Sequence, residues 1–478
     1  MPTPWRSSKA ISKGFICNQQ GSILMNISFK KLITAAAALC GTVFLSGCAI
    51  QYGDGLLALP SLPAEHIELQ SQINKVLETG AVSAAAESGA NRQSIQQVDL
   101  DGDSKNEYIA FFRDLDGNYL IKAYRKNKDD YEEIGSAEAV GLTLHSIYYP
   151  VSSVTGEKSL AVCWGIDESN NYGMTVYTFA AQGMEKVLSV QYSGILVGDF
   201  NGDSKDELCF AVKDQSGGQL SLRVYEAQGN TYVLESETPL CNEARSISQM
   251  TLGRFDESRN AVFLDSVSYG GGFVTDVITY GADGKLHNLT RHRDSGSGIA
   301  TWRSVEVFCK DIDNDGILEV PKASSMMSAL YPDEKSKLAW VRFNEKGNAV
   351  RRMYTYHMPS DDWYFLWPDS WDDRVVVQMN RYSRLVKTSF FVLPDSYSIS
   401  DLPAAGEENT ILTLYIFSGE NQHAYLSTYE ATEILRKDGL LYAYSLGNAH
   451  GKYALTDEEV LAAFKTIETE WTLEAYGG

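Results

Sequence analysis

The sequence predicts a mainly β protein, a β-propeller of about six or seven blades followed by a small C-terminal α+β region. The 478 residues include 27 Tyr, 18 Phe and 39 Gly but only 12 Pro, and this composition favours many short strands joined by tight turns. Strands that end in an aromatic residue and a turn recur at intervals close to the length of a four-stranded blade. Acidic loops of one common spacing recur at about twice that interval.

Composition and charge limit the function. With 44% hydrophobic residues the chain is too apolar to be disordered, and its formal net charge of −21 comes from 41 basic and 62 acidic side chains. Such an acidic surface repels a phosphate backbone and attracts cations. We therefore expect no nucleic-acid partner.

The N-terminus predicts export. Lys30 and Lys31 precede an apolar run, too short to span a bilayer, that ends in the tetrad Leu-Ser-Gly-Cys48. The tetrad resembles the bacterial lipoprotein processing box, which implies a signal peptide over residues 1–47, acylation of Cys48 and a membrane anchor on the outer face of a bacterial membrane. Residues 48–63, with their Gly and Pro, would form a tether. Met25 is an alternative start, and an ordinary secretory signal with an incidental cysteine is the competing interpretation.

Three nine-residue segments place oxygen-bearing side chains at positions 1, 3, 5 and 9. They are Asp99, Asp101, Asp103 and Glu107; Asp199, Asn201, Asp203 and Glu207; and Asp311, Asp313, Asp315 and Glu319. Calcium takes six to eight oxygens, and alternate residues of a tight loop converge on one ion. An EF-hand is excluded because position 12 is Ala110, Phe210 or Lys322 instead of glutamate. Plain surface turns are the alternative to metal sites.

These loops resemble the calcium loops of FG-GAP and VCBS repeats, the units of integrin-type β-propellers. The resemblance implies up to three structural calcium ions, each held by the four residues of one loop. The third loop departs from the pattern, since its glycine stands at position 6 and not at position 4.

The repeat continues beneath the loops. The aromatic residues that end strands are Tyr124, Phe179, Tyr225, Tyr280 and Phe343, spaced by 55, 46, 55 and 63 residues, while the loops are spaced by 100 and 112. Every second blade would therefore carry a loop, with degenerate versions at Val154–Gly156 and Gly253–Asp256. Five units are readable between Val98 and Met353, and a hairpin over residues 374–393 would supply the sixth.

Helices are predicted outside the repeat. Leu69, Ile73 and Val76 share one face of a helix that Gly80 stops, and Thr456 with Glu459 forms a capping box that starts another whose apolar stripe continues to Ile467. A second box, at Ser427 and Glu430, predicts a helix that ends at Gly439. We expect the propeller over residues 64–360 and an accessory region over 361–478, which could add strands that close the ring.

Catalytic motifs are missing from the sequence: it has no His-Glu-x-x-His, no Gly-x-Ser-x-Gly and no Cys-x-x-Cys. Cysteines 163, 209 and 309 lie in apolar runs, where a thiol acts as a small hydrophobe, and no disulfide is assigned. We therefore expect a non-enzymatic surface module that binds a protein or glycan ligand. A polysaccharide-active enzyme and an envelope-assembly scaffold are the alternatives.

The most aromatic segment supplies candidate ligand-binding residues: Trp363, Tyr364, Trp367 and Trp371. Exposed aromatic rings stack on sugars or anchor protein partners. The competing interpretation is that these rings are packed between the propeller and the tail.

Overall fold

The computed structural model describes residues 67–128, 130–167, 171–180, 183–214, 218–324, 337–393 and 409–467. The predicted signal peptide, Cys48 and the tether over 48–63 lie outside the described residues. Within the described part, the protein is mainly β, and six antiparallel sheets follow one another along the chain. This is the blade architecture of a β-propeller, as the sequence predicts.

Helix α1, Ile67–Leu77, precedes the sheets. Leu69, Ile73 and Val76 are buried, and the helix contacts the outermost strand of the first sheet. The chain leaves the helix through Gly80, whose φ of +94° is a left-handed conformation that glycine adopts at little cost. The predicted first helix is therefore confirmed.

The first and second sheets are simple meanders. The first contains β1 (Val82–Ser83), β2 (Ile95–Val98), β3 (Glu107–Arg113), β4 (Tyr119–Asn127) and β5 (Asp130–Ala139). Strands β1 and β2 lie end to end along β3, so the sheet is four strands wide. The second contains β6 (Thr143–Tyr148), β7 (Leu160–Gly165), β8 (Tyr172–Ala180) and β9 (Gly183–Tyr192).

The third and fourth sheets repeat this order. The third contains β10 (Gly194–Gly198), β11 (Glu207–Lys213), β12 (Leu220–Gln228) and β13 (Thr231–Pro239). The fourth contains β14 (Ala244–Arg254), β15 (Asn260–Ser268), β16 (Phe273–Tyr280) and β17 (Leu286–Asn288). In both sheets each strand pairs with its neighbour in sequence, so all connections are short hairpins.

The fifth and sixth sheets each have five strands. The fifth contains β18 (Val320–Ala323), β19 (Lys337–Phe343), β20 (Ala349–Met358), β21 (Trp363–Trp367) and β27 (Phe464–Thr466), and an isolated bridge between Lys310 and Glu319 precedes it. The sixth contains β22 (Val375–Tyr382), β23 (Leu385–Val392), β24 (Thr410–Phe417), β26 (Leu440–Leu446) and β25 (Thr432–Lys437) in spatial order. The predicted sixth hairpin corresponds to β22 and β23.

The sheets pack face to face in chain order, because successive residues of each second strand point to opposite neighbours. In β7, for example, Leu160 and Val162 join the hydrophobic cluster with the first sheet, whereas Ala161 and Cys163 join the cluster with the third. Further clusters join the third sheet to the fourth, the fourth to the fifth and the fifth to the sixth. The four cysteines of the described sheets, 163, 209, 241 and 309, are buried and free.

The C-terminal part corrects two predictions. Helix α2 is Gln422–Thr428 and not a helix from Ser427 to Gly439, because residues 432–446 form the β25–β26 hairpin. Asp438 and Gly439 both have positive φ, as a two-residue hairpin turn requires. Helix α3, Asp457–Ala463, has the predicted capping box at Thr456, but it ends at Ala463, and the expected apolar stripe to Ile467 becomes β27.

The predicted boundary at residue 360 falls inside the fifth sheet. Strand β21 follows it directly and pairs with β20, and β27 from the tail pairs with β21. Residues 66–478 form one compact unit. The tail therefore contributes strands to the sheets. No described helix is both long and apolar enough to cross a membrane.

Candidate functional site

The three acidic loops occupy equivalent places in alternate sheets. Residues 99–106 connect β2 to β3, residues 199–206 connect β10 to β11, and residues 311–319 lead into β18. The predicted degenerate versions, at 154–156 and 253–256, fall in the matching connections of the second and fourth sheets. The first two loops enter the second strand of their sheets, and the segments at 154–156 and 253–256 lie at or next to the same connection, residues 253 and 254 being the end of β14. The third loop leads into β18, an outer strand of the fifth sheet, and the Lys310–Glu319 bridge takes the place of a preceding strand there. Acidic loops therefore occur in the first, third and fifth sheets, as the predicted alternation requires.

All three loops share one backbone conformation. Positions 4 and 6 have positive φ in each: Gly102 (73°) and Ser104 (66°), Gly202 (83°) and Ser204 (69°), and Asn314 (58°) and Gly316 (87°). Asn tolerates this left-handed region better than most residues do. The displaced glycine of the third loop therefore does not change its fold.

The first carboxylate of each loop binds the loop's own backbone. Asp99 Oδ2 accepts from the amide of Ser104 at 3.0 Å, Asp199 Oδ2 from Ser204 at 3.0 Å, and Asp311 Oδ2 from Gly316 at 2.7 Å. In each loop the carboxylate at position 5 accepts from the amide of position 7, at 2.8 to 3.1 Å. These bonds hold the acidic side chains inside the turn.

The closing glutamate of each loop is buried at the start of the second strand. Glu107, Glu207 and Glu319 are at most 1% exposed, and one oxygen of each accepts from the amide at loop position 2, at 2.7 to 3.0 Å. The other oxygen faces the remaining loop carboxylates. A buried carboxylate with a free oxygen requires a positive or donating partner.

In the first loop that partner is an arginine. Arg125 of β4 lies opposite Glu107, since Tyr108 pairs with Tyr124. Its Nε donates to Glu107 Oε1 at 2.9 Å and its Nη2 to Asp101 Oδ2 at 2.6 Å. Asp99, Asp101 and Glu107 each bring an oxygen within 4.8 Å of the others. The guanidinium therefore sits on two of the predicted calcium ligands.

The third loop repeats this arrangement. Arg342 of β19 is opposite Glu319 by the same register, and it donates to Glu319, to Asp315 Oδ1 at 2.5 Å and to Asp313 Oδ1 at 3.3 Å. Arg352 of β20 adds a contact of 3.0 Å to Asp313 Oδ2. Three carboxylates, Asp311, Asp313 and Asp315, are gathered within 4.8 Å of one another around these cations.

The second loop has an acid in place of the arginine. Glu226 of β12 lies opposite Glu207, since Leu208 pairs with Tyr225. The Asn201 amide donates to Glu207 Oε1 and to Glu226 Oε1, both at 3.1 Å, and Lys205 pairs with Asp203 at 2.9 Å. Burial raises the pKa of Glu207 to about 7, and the negative charges of Asp203 and Glu226 contribute to the shift.

A hard divalent cation suits the three loops unequally. The second loop offers carboxylate and amide oxygens at all four predicted positions and a further carboxylate on Glu226, a donor set that suits calcium. In the first and third loops the oxygens that calcium would use are bonded to Arg125 and Arg342. The positions of Arg125 and Arg342 are therefore incompatible with three equivalent calcium sites.

Sequence reasoning missed Arg125, Glu226 and Arg342. Each lies 18 to 23 residues after its closing glutamate and meets it only through strand pairing. The available signal was the aromatic repeat: Tyr124 and Tyr225 directly precede Arg125 and Glu226, and Phe343 directly follows Arg342.

Two grooves open beside these loops. The first, of about 280 Å³, is lined by Asp101 and Arg125 of the first sheet and by Glu157 and Lys158 of the second. Ser152, Ser159 and Thr178 also line it, and the hydroxyl group of each is bonded within the chain. The second groove, of about 370 Å³, lies between the fourth and fifth sheets, with residues of both signs and a more apolar lining.

The aromatic segment of the fifth sheet does not form a binding surface. Trp363, Trp367 and Trp371 are at most 5% exposed and pack with Phe390 in the cluster between the fifth and sixth sheets. Tyr364 stacks on the buried His357, with ring centroids 4.8 Å apart. The three tryptophans are therefore packed, as the competing interpretation has it, and their burial does not fit ligand binding. Tyr364 is partly exposed, and its role stays a prediction.

Comparisons with known proteins give a fold likeness only. No family model and no curated protein matches the chain. Among solved structures, a rhamnogalacturonan lyase from Bacillus licheniformis is similar over 83% of this chain and 79% of its own, at 12% identity and a TM-score of 0.31. The Dos1 propeller is similar over 79% of this chain and 85% of its own, at 11% identity and a TM-score of 0.28.

Sqt1 from Saccharomyces cerevisiae is similar over 72% of this chain and 85% of its own, at 10% identity and a TM-score of 0.27. Such low scores carry no argument about ligand or activity. The assignment of a β-propeller rests on the six sheets themselves.

Proposed function

We propose that this chain is an exported lipoprotein, anchored through acylated Cys48 to the outer face of a bacterial membrane, whose calcium-stabilised propeller binds a protein or glycan ligand. The Leu-Ser-Gly-Cys48 tetrad supports the anchor, and the second acidic loop supports calcium. The first groove supports binding.

The first groove carries the binding proposal. It is lined by charges of both signs, from Asp101, Arg125, Glu157 and Lys158. Arg125 is fixed by its two carboxylate partners, and the Lys158 amide is bonded to the carbonyl of Leu100 at 2.8 Å. Donors and acceptors that are held in place before binding lose little entropy on association, which favours recognition of a polar ligand.

Binding, and not catalysis, is the activity that these residues support best. Two carboxylates line the first groove: Asp101 is engaged in an ion pair with Arg125 at 2.6 Å, which leaves Glu157 alone where a glycosidase uses a pair. A glycosidase or lyase needs an acid or base that is free to exchange a proton with substrate.

The test of binding uses purified envelope glycans and proteins immobilised for biolayer interferometry. We expect Glu157→Lys, an exposed change in the first groove, to weaken binding of the ligand found. Glu345→Lys, the same change in the second groove, is the control and should leave binding intact. Equal loss in both variants, or shortening of the glycan during incubation, would contradict the proposal.

The test of the anchor is independent of the ligand. We expect the full chain expressed in a bacterial host to incorporate labelled fatty acid and to partition into detergent, and Cys48→Ala to lose both properties. Unchanged labelling of Cys48→Ala would refute the anchor and leave the binding proposal untouched.

A further inference from the structure

The three loops differ in their built-in cation, although their backbones are alike. In the first loop an arginine of the neighbouring strand binds two of the four carboxylates, and in the third loop an arginine binds three of the four. The second loop has three carboxylates and the Asn201 amide, and the residue in place of the arginine is Glu226. The difference lies at one register position, opposite the closing glutamate.

We propose that Arg125 and Arg342 replace calcium as the resident cations of the first and third loops, so that only the second loop depends on the metal. This inference rests on the calcium-stabilised propeller proposed above and restricts the metal to one of its three loops.

The contacts of Arg342 support replacement most strongly. Its side chain is 18% exposed, and one guanidinium group reaches the carboxylates at positions 3, 5 and 9 of the third loop. Those are three of the four predicted calcium ligands. A calcium ion would have to displace the guanidinium and leave it beside a divalent charge, which Coulomb repulsion disfavours.

Arg125 makes a weaker version of the same contacts. It is 45% exposed and reaches positions 3 and 9 of the first loop. The position 5 carboxylate, Asp103, binds Lys105 instead at 2.7 Å. The first loop therefore also satisfies its carboxylates from within the chain.

The second loop lacks such a partner on the third strand. Its one ion pair in the described structure joins Lys205 to Asp203 at 2.9 Å. Glu207 and Glu226 share the donor groups of one Asn201 amide. An added divalent cation would relieve the repulsion between these carboxylates, with Glu226 as an additional ligand.

The decisive experiment exchanges the residue at the register position. We expect the mature full-length chain in detergent, freed of metal with EGTA, to bind one calcium ion in isothermal titration calorimetry. Glu226→Arg should bind none, and its melting temperature in EGTA should exceed that of the unchanged chain in EGTA. Glu226→Gln should bind calcium about tenfold more weakly without that gain in melting temperature.

The reciprocal variant and a control complete the design. Arg125→Ala with Arg342→Ala should bind more than one calcium ion. Glu185→Arg, the same charge change on exposed strand β9, should behave as the unchanged chain. If the double variant does not fold, the two Glu226 variants still decide the question.

The possible failures are distinguishable. Three ions bound by the unchanged chain, or calcium binding retained by Glu226→Arg, would overturn the inference while leaving a calcium-stabilised propeller standing. No ion bound by the unchanged chain would overturn the calcium part of the proposed function as well.

Discussion

A single side chain on the third strand decides how each loop carboxylate cluster is neutralised. Glu319 is fully buried and its oxygen faces Arg342, whereas the partner of Glu107 is the more exposed Arg125. Removing one member of a buried pair leaves an uncompensated charge, which costs far more than breaking a pair in contact with water.

This contrast gives the first prediction. Without calcium, Arg342→Ala should lower the free energy of unfolding by about 3 to 5 kcal/mol. Arg125→Ala should cost less, about 1 to 3 kcal/mol, because Glu107 is as buried as Glu319 but water can reach the place of the 45% exposed Arg125 side chain. Urea denaturation in EGTA measures both. Arg351→Ala, on an exposed arginine that donates to the Tyr354 hydroxyl at 2.8 Å, is the control. Equal losses in the two loop variants would show that burial does not set the cost.

Asp276, a buried acid outside the three loops, is expected to make the free energy of unfolding depend on pH. Asp276 of β16 is fully buried, and its Oδ1 accepts from the Cys241 amide at 2.9 Å and from Asn288 at 2.6 Å. Burial raises the pKa of Asp276 to about 6, above its value of about 4 in the unfolded chain. Between these values the folded chain keeps a proton that the unfolded chain releases.

Asp276 should therefore reduce stability as the pH rises from about 4 to about 6, by about 3 kcal/mol in total. We expect Asp276→Asn to flatten this part of the stability profile, measured by urea denaturation across the range. Asp116→Asn, in an exposed turn, should leave the profile unchanged. A profile that keeps its slope in Asp276→Asn would contradict the assignment.

At the scale of elements, the tail depends on one capping box. Thr456 accepts from the Glu459 amide at 3.2 Å, and Glu459 accepts from the Thr456 amide at 2.8 Å. Helix α3 then delivers β27 to the edge of the fifth sheet. The cap therefore supports a strand pairing that lies some 100 residues apart in sequence.

We expect Thr456→Ala to cost about 1 kcal/mol of unfolding free energy, because the Glu459 amide loses the hydroxyl that accepts its hydrogen bond. Ser427→Ala tests the other box seen in the sequence and should change stability by less than about 0.5 kcal/mol, since Ser427 is an exposed residue inside α2. Chemical denaturation distinguishes the two variants. A larger loss in Ser427→Ala would contradict the structure of the tail.

The capping boxes at Thr456 and Ser427 show when a local sequence pattern predicts a helix correctly. The box at Thr456 starts a helix as predicted, because both of its hydrogen bonds join residues only three positions apart. The one at Ser427 fails because the segment Thr432–Lys437 gains more by pairing with β26 than by extending a seven-residue helix. The acidic loops were predictable for the same reason as Thr456, since their bonds are made within nine residues.

At the scale of the whole molecule, the spacing of aromatic residues along the sequence predicted the order of the first five sheets. It did not predict which cation neutralises each acidic loop. Repeats of 46 to 63 residues between aromatic side chains indicated blades, and these residues do lie on the third strand of the first four sheets and on β19 of the fifth. Arg125, Glu226 and Arg342 became partners of the loops only through strand register. For Trp363 and Trp367 the sequence leaves both ligand binding and packing open, because nothing local shows that the sixth sheet covers them.

The whole account depends on how negative charge is balanced across three loops of one fold. X-ray diffraction from crystals of the protein grown with calcium, with an anomalous difference map, tests this directly. We predict one calcium peak, beside Asp199, Asp203, Glu207 and Glu226, with Arg125 and Arg342 still bonded in the other two loops. Peaks in all three loops, or a guanidinium displaced by an ion, would contradict it.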